Sequence, residues 1–314
     1  MNRNTKISKE LRSVEALIKR DFSKENTISG LYKYIFKSNG KKIRAKLCLT
    51  TSSRTKNKEK IKLASVIELL HTATLIHDDV VDESPTRRGI RSVNNVWTNA
   101  HGVLIGDYIY SKAFIYLVDI GNKKILKELA STTNDIAQGE LVQLDAINNV
   151  NITLNKLKKI SYFKTGRLFE AAAKTGAIIA NENKAFNYNV SECAKNLGIL
   201  FQITDDLLDY SDNKKIGKPV FQDIKEGKVT YPFFYAYKNA NTREKKRLKG
   251  LLGASRDLKS KDLELITSLD GIKKTKQLAE KYHMKAVGYA KKIKDLDIRK
   301  EMIELANTAL NRDK

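Results

Sequence analysis

Apolar side chains return every three to four positions along most of this chain. Ile7, Leu11, Val14 and Ile18 share one helical stripe, Leu63, Val66, Leu70 and Thr74 a second, and Leu129, Ile136 and Leu144 a third. Neither a run of short alternating strands nor a strand–helix alternation appears. The periodicity predicts helices near 5–21, 43–53, 60–83, 93–120, 123–148, 153–181, 183–212 and 229–240, and then on to the end of the chain. Only three prolines, Pro85, Pro219 and Pro232, interrupt 314 residues, and the glycines stand singly, which favours long helices. The expected fold is all-α, a single large domain over residues 1–314 with no internal repeat and no low-complexity linker.

Composition changes the picture in one respect, charge. The chain carries 59 Lys and Arg against 36 Asp and Glu, a formal net charge of +23, while 41% hydrophobic residues make it too apolar to be disordered. Such a surplus fits a solvated surface, attraction to anionic substrates or an anionic membrane face, or nucleic-acid binding. The lysines form separate groups (Lys56 to Lys62, Lys156 to Lys159, Lys245 to Lys249) rather than one stripe interleaved with aromatics, which argues against a nucleic-acid groove. Cys48 and Cys193 belong to no CxxC or Cys/His cluster, so a disulfide scaffold and a zinc site are not expected and a reducing compartment is. The first residues hold no apolar leader, and no stretch of about 18 residues is free of charge. These features lead to the expectation of a cytoplasmic protein.

Against this basic background two acidic clusters stand out. His77-Asp78-Asp79-Val80-Val81-Asp82-Glu83 follows the apolar stretch Val66 to Ile76, and Phe201-Gln202-Ile203-Thr204-Asp205-Asp206-Leu207-Leu208-Asp209 repeats the pattern. Asp78 with Asp82, and Asp205 with Asp209, are i and i+4 and share a helical face, an arrangement that costs about 0.2–0.5 kcal/mol per like-charged pair even in water. One such cluster is ordinarily a solvated helix end. Two copies of D-D-x-x-D, each closing an apolar helix and each followed by a Lys/Arg–Gly loop, call for compensating cations. Aspartate oxygens without His or Cys partners suit a hard ion, and magnesium, which keeps waters and bridges phosphate oxygens, fits better than a closed calcium cage.

Short basic segments complement the acids: Asn39-Gly40-Lys41-Lys42-Ile43-Arg44, Arg87-Arg88-Gly89, Lys164-Thr165-Gly166, Gly217-Lys218-Pro219 and Gly227-Lys228-Val229-Thr230. The last is no P-loop, because the upstream glycine is missing and Val229 follows Lys228. Together they supply the positive charge that one or two diphosphates require.

In order and spacing, these segments resemble the trans-prenyltransferases of the polyprenyl diphosphate synthase family, long-chain members in particular. His71 to Ser84 with Arg87-Arg88-Gly89 resembles the first aspartate-rich motif. Gly106-Asp107-Tyr108, Gly139-Glu140-Leu141, Lys164-Thr165-Gly166, Phe201-Gln202 with Asp205-Asp206-Asp209, and the Gly217 to Pro232 segment follow in the family's order. Three positions depart from it: Asn39 replaces the first glycine of the usual pair, Ala45 the proline after Arg44, and Phe221 a glycine between Gly217 and Asp223.

The resemblance implies a bundle of long helices around a deep central cavity, usually a homodimer, that adds isopentenyl diphosphate head-to-tail to an allylic diphosphate. It implies that Asp78, Asp82 and Asp205 bind magnesium, with Asp209 as a further metal partner. Lys41, Arg44, His71 and Arg88 would hold isopentenyl diphosphate. Arg87, Lys164, Thr165, Gln202 and Lys228 would hold the allylic diphosphate, with Lys218 nearby. Asp78, Asp82, Asp205 and Lys164 form the catalytic set, and the departing diphosphate serves as base. Ala73 and Thr74 lie five and four residues before Asp78, about 6–7.5 Å along a helix. Short-chain members usually carry aromatic stops there, so a small residue and a threonine imply a long product, around eight units and suited to a quinone side chain. Phe114 is the expected floor, and a transient membrane-surface contact is expected at product release. The rival readings are a short-chain synthase, a class I terpene cyclase, a non-catalytic subunit of a heteromeric synthase and a nucleic-acid-binding helical protein.

Overall fold

The computed structural model describes residues 3–20, 24–37, 40–56, 58–87, 89–210, 221–254 and 260–312. Arg88 and Lys218, singled out above, lie outside them. The described residues group into two compact units, Met1–Thr133 with Ala171–Ser191, and Asn134–Glu170 with Glu192–Lys314. Apart from one two-stranded hairpin, all regular structure among them is helical.

The first unit contains α1 (Arg3–Arg20), α2 (Asn26–Ile35), α3 (Ile43–Thr51), α4 (Glu59–Val81), the hairpin β1 (Thr86–Arg87) and β2 (Ile90–Arg91), α5 (Val93–Val96), α6 (Asn99–Ile120) and the start of α7 (Lys123–Leu144). Its centre is α4, which packs on α1, α3 and α6. Leu63, Ala64, Val66, Ile67, Leu69, Leu70 and Ala73 are all wholly buried, so the helix is apolar around most of its circumference, as a central helix must be. The predicted 93–120 helix is broken at Trp97, because Thr98 is extended and its side chain accepts the His101 N–H to cap α6. Gly121, at φ +67°, ends α6 in the left-handed conformation that glycine adopts without strain.

The α4–α6 contact depends on small residues. A β-carbon on Gly102 would meet the Val80 side chain, and one on Gly106 would overlap the His77 ring. The two helices therefore run antiparallel with Val80 opposite Gly102 and His77 opposite Gly106. His77 also stacks on Tyr110 with ring centroids 5.9 Å apart.

The second unit contains the rest of α7, α8 (Leu154–Ser161), a π-helical turn (Tyr162–Gly166), and parts of α9 (Arg167–Ile179) and α10 (Lys184–Leu208). It continues with α11 (Gln222–Lys225), α12 (Tyr231–Asn239), α13 (Thr242–Lys249), α14 (Ser260–Ser268), α15 (Gly271–Lys291) and α16 (Leu296–Leu310). Here α12 packs on α14 and α15, and α15 on α16, over Phe233, Ala236, Ala286, Ile298 and Met302. Pro232 stands in the first turn of α12, where its missing N–H would have no helical partner. Asn241 and Glu244 close α13 in a reciprocal capping box. Among the described residues no helix is long and apolar enough to cross a membrane.

Gly106→Ala should push the His77 ring out of place and destabilise the fold by about 1–3 kcal/mol. Urea denaturation would measure it, and an unchanged midpoint would show that α4 and α6 separate without cost.

Candidate active site

The first acidic cluster sits on the last turn of α4, with Asp82 as its C-cap. A helix C-terminus carries a partial negative charge, so carboxylates there are disfavoured by about 0.3–1 kcal/mol each. Asp78 and Asp82 are half-buried, one turn apart. Asp79 is buried and accepts from Arg87 Nε at 2.8 Å and from Arg87 Nη2. Burial pushes the Asp79 carboxyl up, and Arg87 opposes this only in part. Gly89, at φ +78°, turns the hairpin that returns Arg87 to α4. Asn94 Nδ2 donates to the Asp79 carbonyl at 3.2 Å and ties the same segment down.

Below this end, within the first unit, lies a cavity of about 90 Å³, whose lining includes Lys42, Glu68, His71, Asp79, Arg87 and Arg91. Of the residues expected to bind diphosphate, His71 and Arg87 line it. Arg44 Nη1 donates to His71 Nε2 at 3.0 Å, which requires the ring proton on Nδ1. Lys41 is exposed and outside the lining, whereas its neighbour Lys42 lines the cavity in a left-handed conformation, 2.6 Å from Glu15. Ala45 explains one departure from the family pattern: its buried N–H donates to Glu68 Oε1 at 3.1 Å, a bond no proline could make.

The chain-length positions are also in this unit. Ala73 is fully buried, Thr74 Oγ1 donates to the His71 carbonyl at 2.8 Å, and Phe114 is half-buried on α6. The antiparallel register places Phe114 deeper along α4 than Ala73, level with Glu68 and Leu69.

In the second unit the π-helical turn Tyr162–Gly166 carries Lys164 and Thr165. Such turns are commonly found at functional sites. Two glycines let it lie close to its neighbours: a β-carbon on Gly139 of α7 would strike Phe163, and one on Gly198 of α10 would strike Gly166 Cα at 2.6 Å. The clamped turn directs Lys164 Nζ to Glu140 Oε2 at 3.1 Å and Thr165 Oγ1 to Gln202 Oε1 at 2.7 Å. Gln202 Nε2 in turn donates to Asp206 Oδ1 at 2.9 Å. Thus Lys164, Thr165 and Gln202, called from sequence, are brought to one place, and Glu140 and Asp206 join them.

Asp205 is partly exposed and pairs with Arg312 Nη1 at 3.2 Å; that guanidinium lies 3.8 Å over the Phe201 ring. Asp209 is placed differently. Its two oxygens accept the backbone N–H groups of Gln222 at 2.9 Å and Asp223 at 3.2 Å, so it caps α11. Burial pushes Asp209 up to about 7 and Asp223 up to about 6; Asp223 also raises Asp209, while Lys228 partly offsets the rise at Asp223. Asp206 is likewise raised, by burial and then by Asp223. Lys228 itself is 2.7 Å from Glu226.

The donor set of both clusters, carboxylate oxygens only, fits a hard divalent cation. No three His, Cys, Asp or Glu side chains converge among the described residues. That arrangement still fits magnesium, which takes one or two carboxylates and completes its shell with water and phosphate oxygens. Sequence reasoning had not assigned roles to Asp79, Glu140, Asp206, Asp223 and Arg312. The first four sit in or beside recognised motifs, but nothing in the sequence near Arg312 links it to Asp205.

Comparison with known proteins agrees with this chemistry. A family model described as polyprenyl synthetase matches residues 25–269. An octaprenyl diphosphate synthase of Escherichia coli is 34% identical over 317 residues, 99% of this chain and 98% of the relative. A solved decaprenyl diphosphate synthase of Rhodobacter capsulatus superposes with a TM-score of 0.93 at 30% identity, covering 99% of this chain and 98% of the other. A polyprenyl synthase of Caulobacter crescentus, solved with calcium and isoprenyl diphosphate, gives 0.92 at 32%, covering 98% and 96%.

Phe221 stands where the family pattern has glycine and adopts φ +63°, the left-handed conformation glycine tolerates. Its buried ring meets Tyr210 edge-on at 5.8 Å, which offsets the strain. Stability should therefore fall in the order Phe221, Phe221→Gly, Phe221→Ala, with glycine better than alanine by about 1 kcal/mol. Thermal melts of the three proteins check this; an alanine variant at least as stable as glycine would contradict it.

Proposed function

The chain belongs to the polyprenyl synthetase family, and we propose that it works as a magnesium-dependent synthase in which both aspartate motifs serve one prenyl transfer. It is a prenyltransferase that makes long-chain all-trans polyprenyl diphosphates from isopentenyl diphosphate and an allylic diphosphate. The observation that carries the reading is the pair of carboxylate clusters on helix C-termini, each beside diphosphate-binding cations, in a chain that matches the family nearly end to end. All the motif aspartates are present, which argues against a non-catalytic subunit.

In this reading Asp78 and Asp82 on one unit and Asp205 on the other would hold magnesium, which would supply positive charge to the diphosphate leaving group. Arg87, Lys164 and Lys228 orient that diphosphate, with Thr165 and Gln202 fixing the π-helical turn. Arg44 and His71, with Lys41 and Arg88, hold isopentenyl diphosphate so that its double bond attacks the allylic carbon. The departing diphosphate then accepts the proton. Asp209 acts by capping α11, which positions the Asp223–Lys228 loop, and Arg312 balances the charge of Asp205 through Oδ1. The whole chain acts as one synthase domain in the cytoplasm, where the buried free thiols Cys48 and Cys193 remain reduced. The exposed stripe Leu104, Ile115 and Val118 on α6 supports a homodimer. The product, of around eight isoprene units, is suited to a quinone side chain.

Labelled isopentenyl diphosphate with an allylic primer and magnesium, followed by chromatography of the dephosphorylated product, tests the activity. Asp78→Ala and Asp205→Ala should each cut turnover by orders of magnitude, and so should chelation; near-normal turnover of Asp205→Ala would overturn the two-motif reading. Ala73→Tyr should shorten the product sharply, by placing an aromatic ring at the turn where short-chain members of the family carry one. A folded Ala73→Tyr protein with unchanged product length would show that this turn does not face the growing tail.

The raised acids give a pH signature. Asp209 and Asp223 titrate near 7 and 6 in the folded chain, above the ordinary carboxylate value of about 4, so folding binds protons. Their contribution is full below about pH 4 and is lost as pH rises through 6 and 7. The metal-free melting temperature should fall from pH 5 to pH 8, magnesium with inorganic diphosphate should restore it most at pH 8, and Asp209→Asn should make the fall shallower, leaving the part due to Asp223 and Asp206. A flat profile in the unmodified chain would contradict the assignment.

A further inference from the structure

The second unit presents a basic face that the reaction does not use. On α15 and at its C-cap, Gln277, Lys281, Met284, Lys285, Gly288 and the capping Lys292 are all exposed, and at 3.6 residues per turn they fall within an arc of about 100°. Six lysines stand on this helix against one carboxylate, Glu280. Lys158 of α8 joins them: burial and then the charges of Lys281 and Lys285 lower its affinity for its proton. Three ammonium groups from two helices thus lie within each other's field, and no carboxylate among the described residues forms an ion pair with any of them. Elsewhere in this unit basic side chains do find acids, as Arg247 finds Asp262 and Lys228 finds Glu226.

One exposed apolar side chain lies on the same surface. Met284 is 66% exposed at one edge of the arc, a turn from Lys281. A β-carbon at Gly288 would meet nothing within 4 Å, so the middle of the face is open. Lysines around an exposed flexible apolar side chain are the pattern of helices that rest on anionic membranes, the charges meeting headgroups and the apolar side chain entering the boundary. A nucleic-acid groove would interleave aromatics for stacking, and none is exposed in this arc.

We propose that the face formed by α15 with Lys158 docks this protein on an anionic lipid bilayer. The proposal rests on the function above, since a polyprenyl diphosphate of around eight units is too apolar to leave for water, and the reaction that consumes it must take it from a membrane. Docking the synthase puts release beside that destination.

The test uses the full chain and vesicles of phosphatidylcholine alone or mixed with phosphatidylglycerol, with binding read by co-sedimentation at two salt concentrations. The protein should bind the anionic vesicles only, and salt should weaken binding. Lys158→Gln, Lys281→Gln and Lys285→Gln combined should weaken binding on the order of 100-fold, about fivefold per lysine. Met284→Ser should also weaken it, in a manner salt does not reverse. In detergent without vesicles, the triple variant should make product at the unmodified rate. Equal binding to neutral vesicles, unweakened binding by the triple variant, or tighter binding to duplex RNA than to anionic vesicles would overturn the proposal. Failure of the unmodified chain to make product in detergent would instead remove the functional reading, whatever the vesicles show.

Discussion

The structure is governed by an electrostatic conflict at two helix ends. Both α4 and α10 close on aspartates spaced one turn apart, where the backbone already concentrates negative charge. Each penalty is small, on the order of 0.5 kcal/mol, but they act in the same direction at each end and burial enlarges them. Cations are therefore needed at both ends, and in the ligand-free chain side chains supply some of them: Arg87 at Asp79 and Arg312 at Asp205.

Much of the surrounding fold serves to hold these ends in place. In the first unit, small residues on α6 let it approach α4 closely enough for His77 to pack between the helices just before Asp78. In the second, Gly139 and Gly198 press the π-helical turn so that Lys164 and Thr165 project from it. The glycines act by absence of a side chain, which is how a helical scaffold brings polar groups within hydrogen-bond reach without loops.

The helical periodicity and the acidic clusters were legible because both are local. Helices α1, α3, α4, α7, α10 and α12 fall close to the expected ranges, and the division of 93–120 and 153–181 was missed because a single cap at Thr98 and a π-turn at Tyr162 leave little periodic trace. The short α2 and the hairpin after Pro85 escaped for the same reason. At the site, residues in motifs were found, whereas partners distant in sequence were not: Arg312 reaches Asp205 across more than a hundred residues. Lys41 and Lys42 differ by one position, and it is Lys42, in a left-handed turn and paired with Glu15, that lines the cavity. Ala45 and Phe221 are departures in sequence whose physical meaning, a donated N–H and a strained φ, exists only in three dimensions.

The central claim is that both acidic helix ends are cation sites. Calorimetric titration of magnesium into the protein with inorganic diphosphate, comparing the unmodified chain with Asp78→Asn and Asp205→Asn, addresses it directly. The account predicts that each substitution weakens binding at least about tenfold, equivalent to about 1.4 kcal/mol. Undiminished magnesium binding by Asp205→Asn would contradict it.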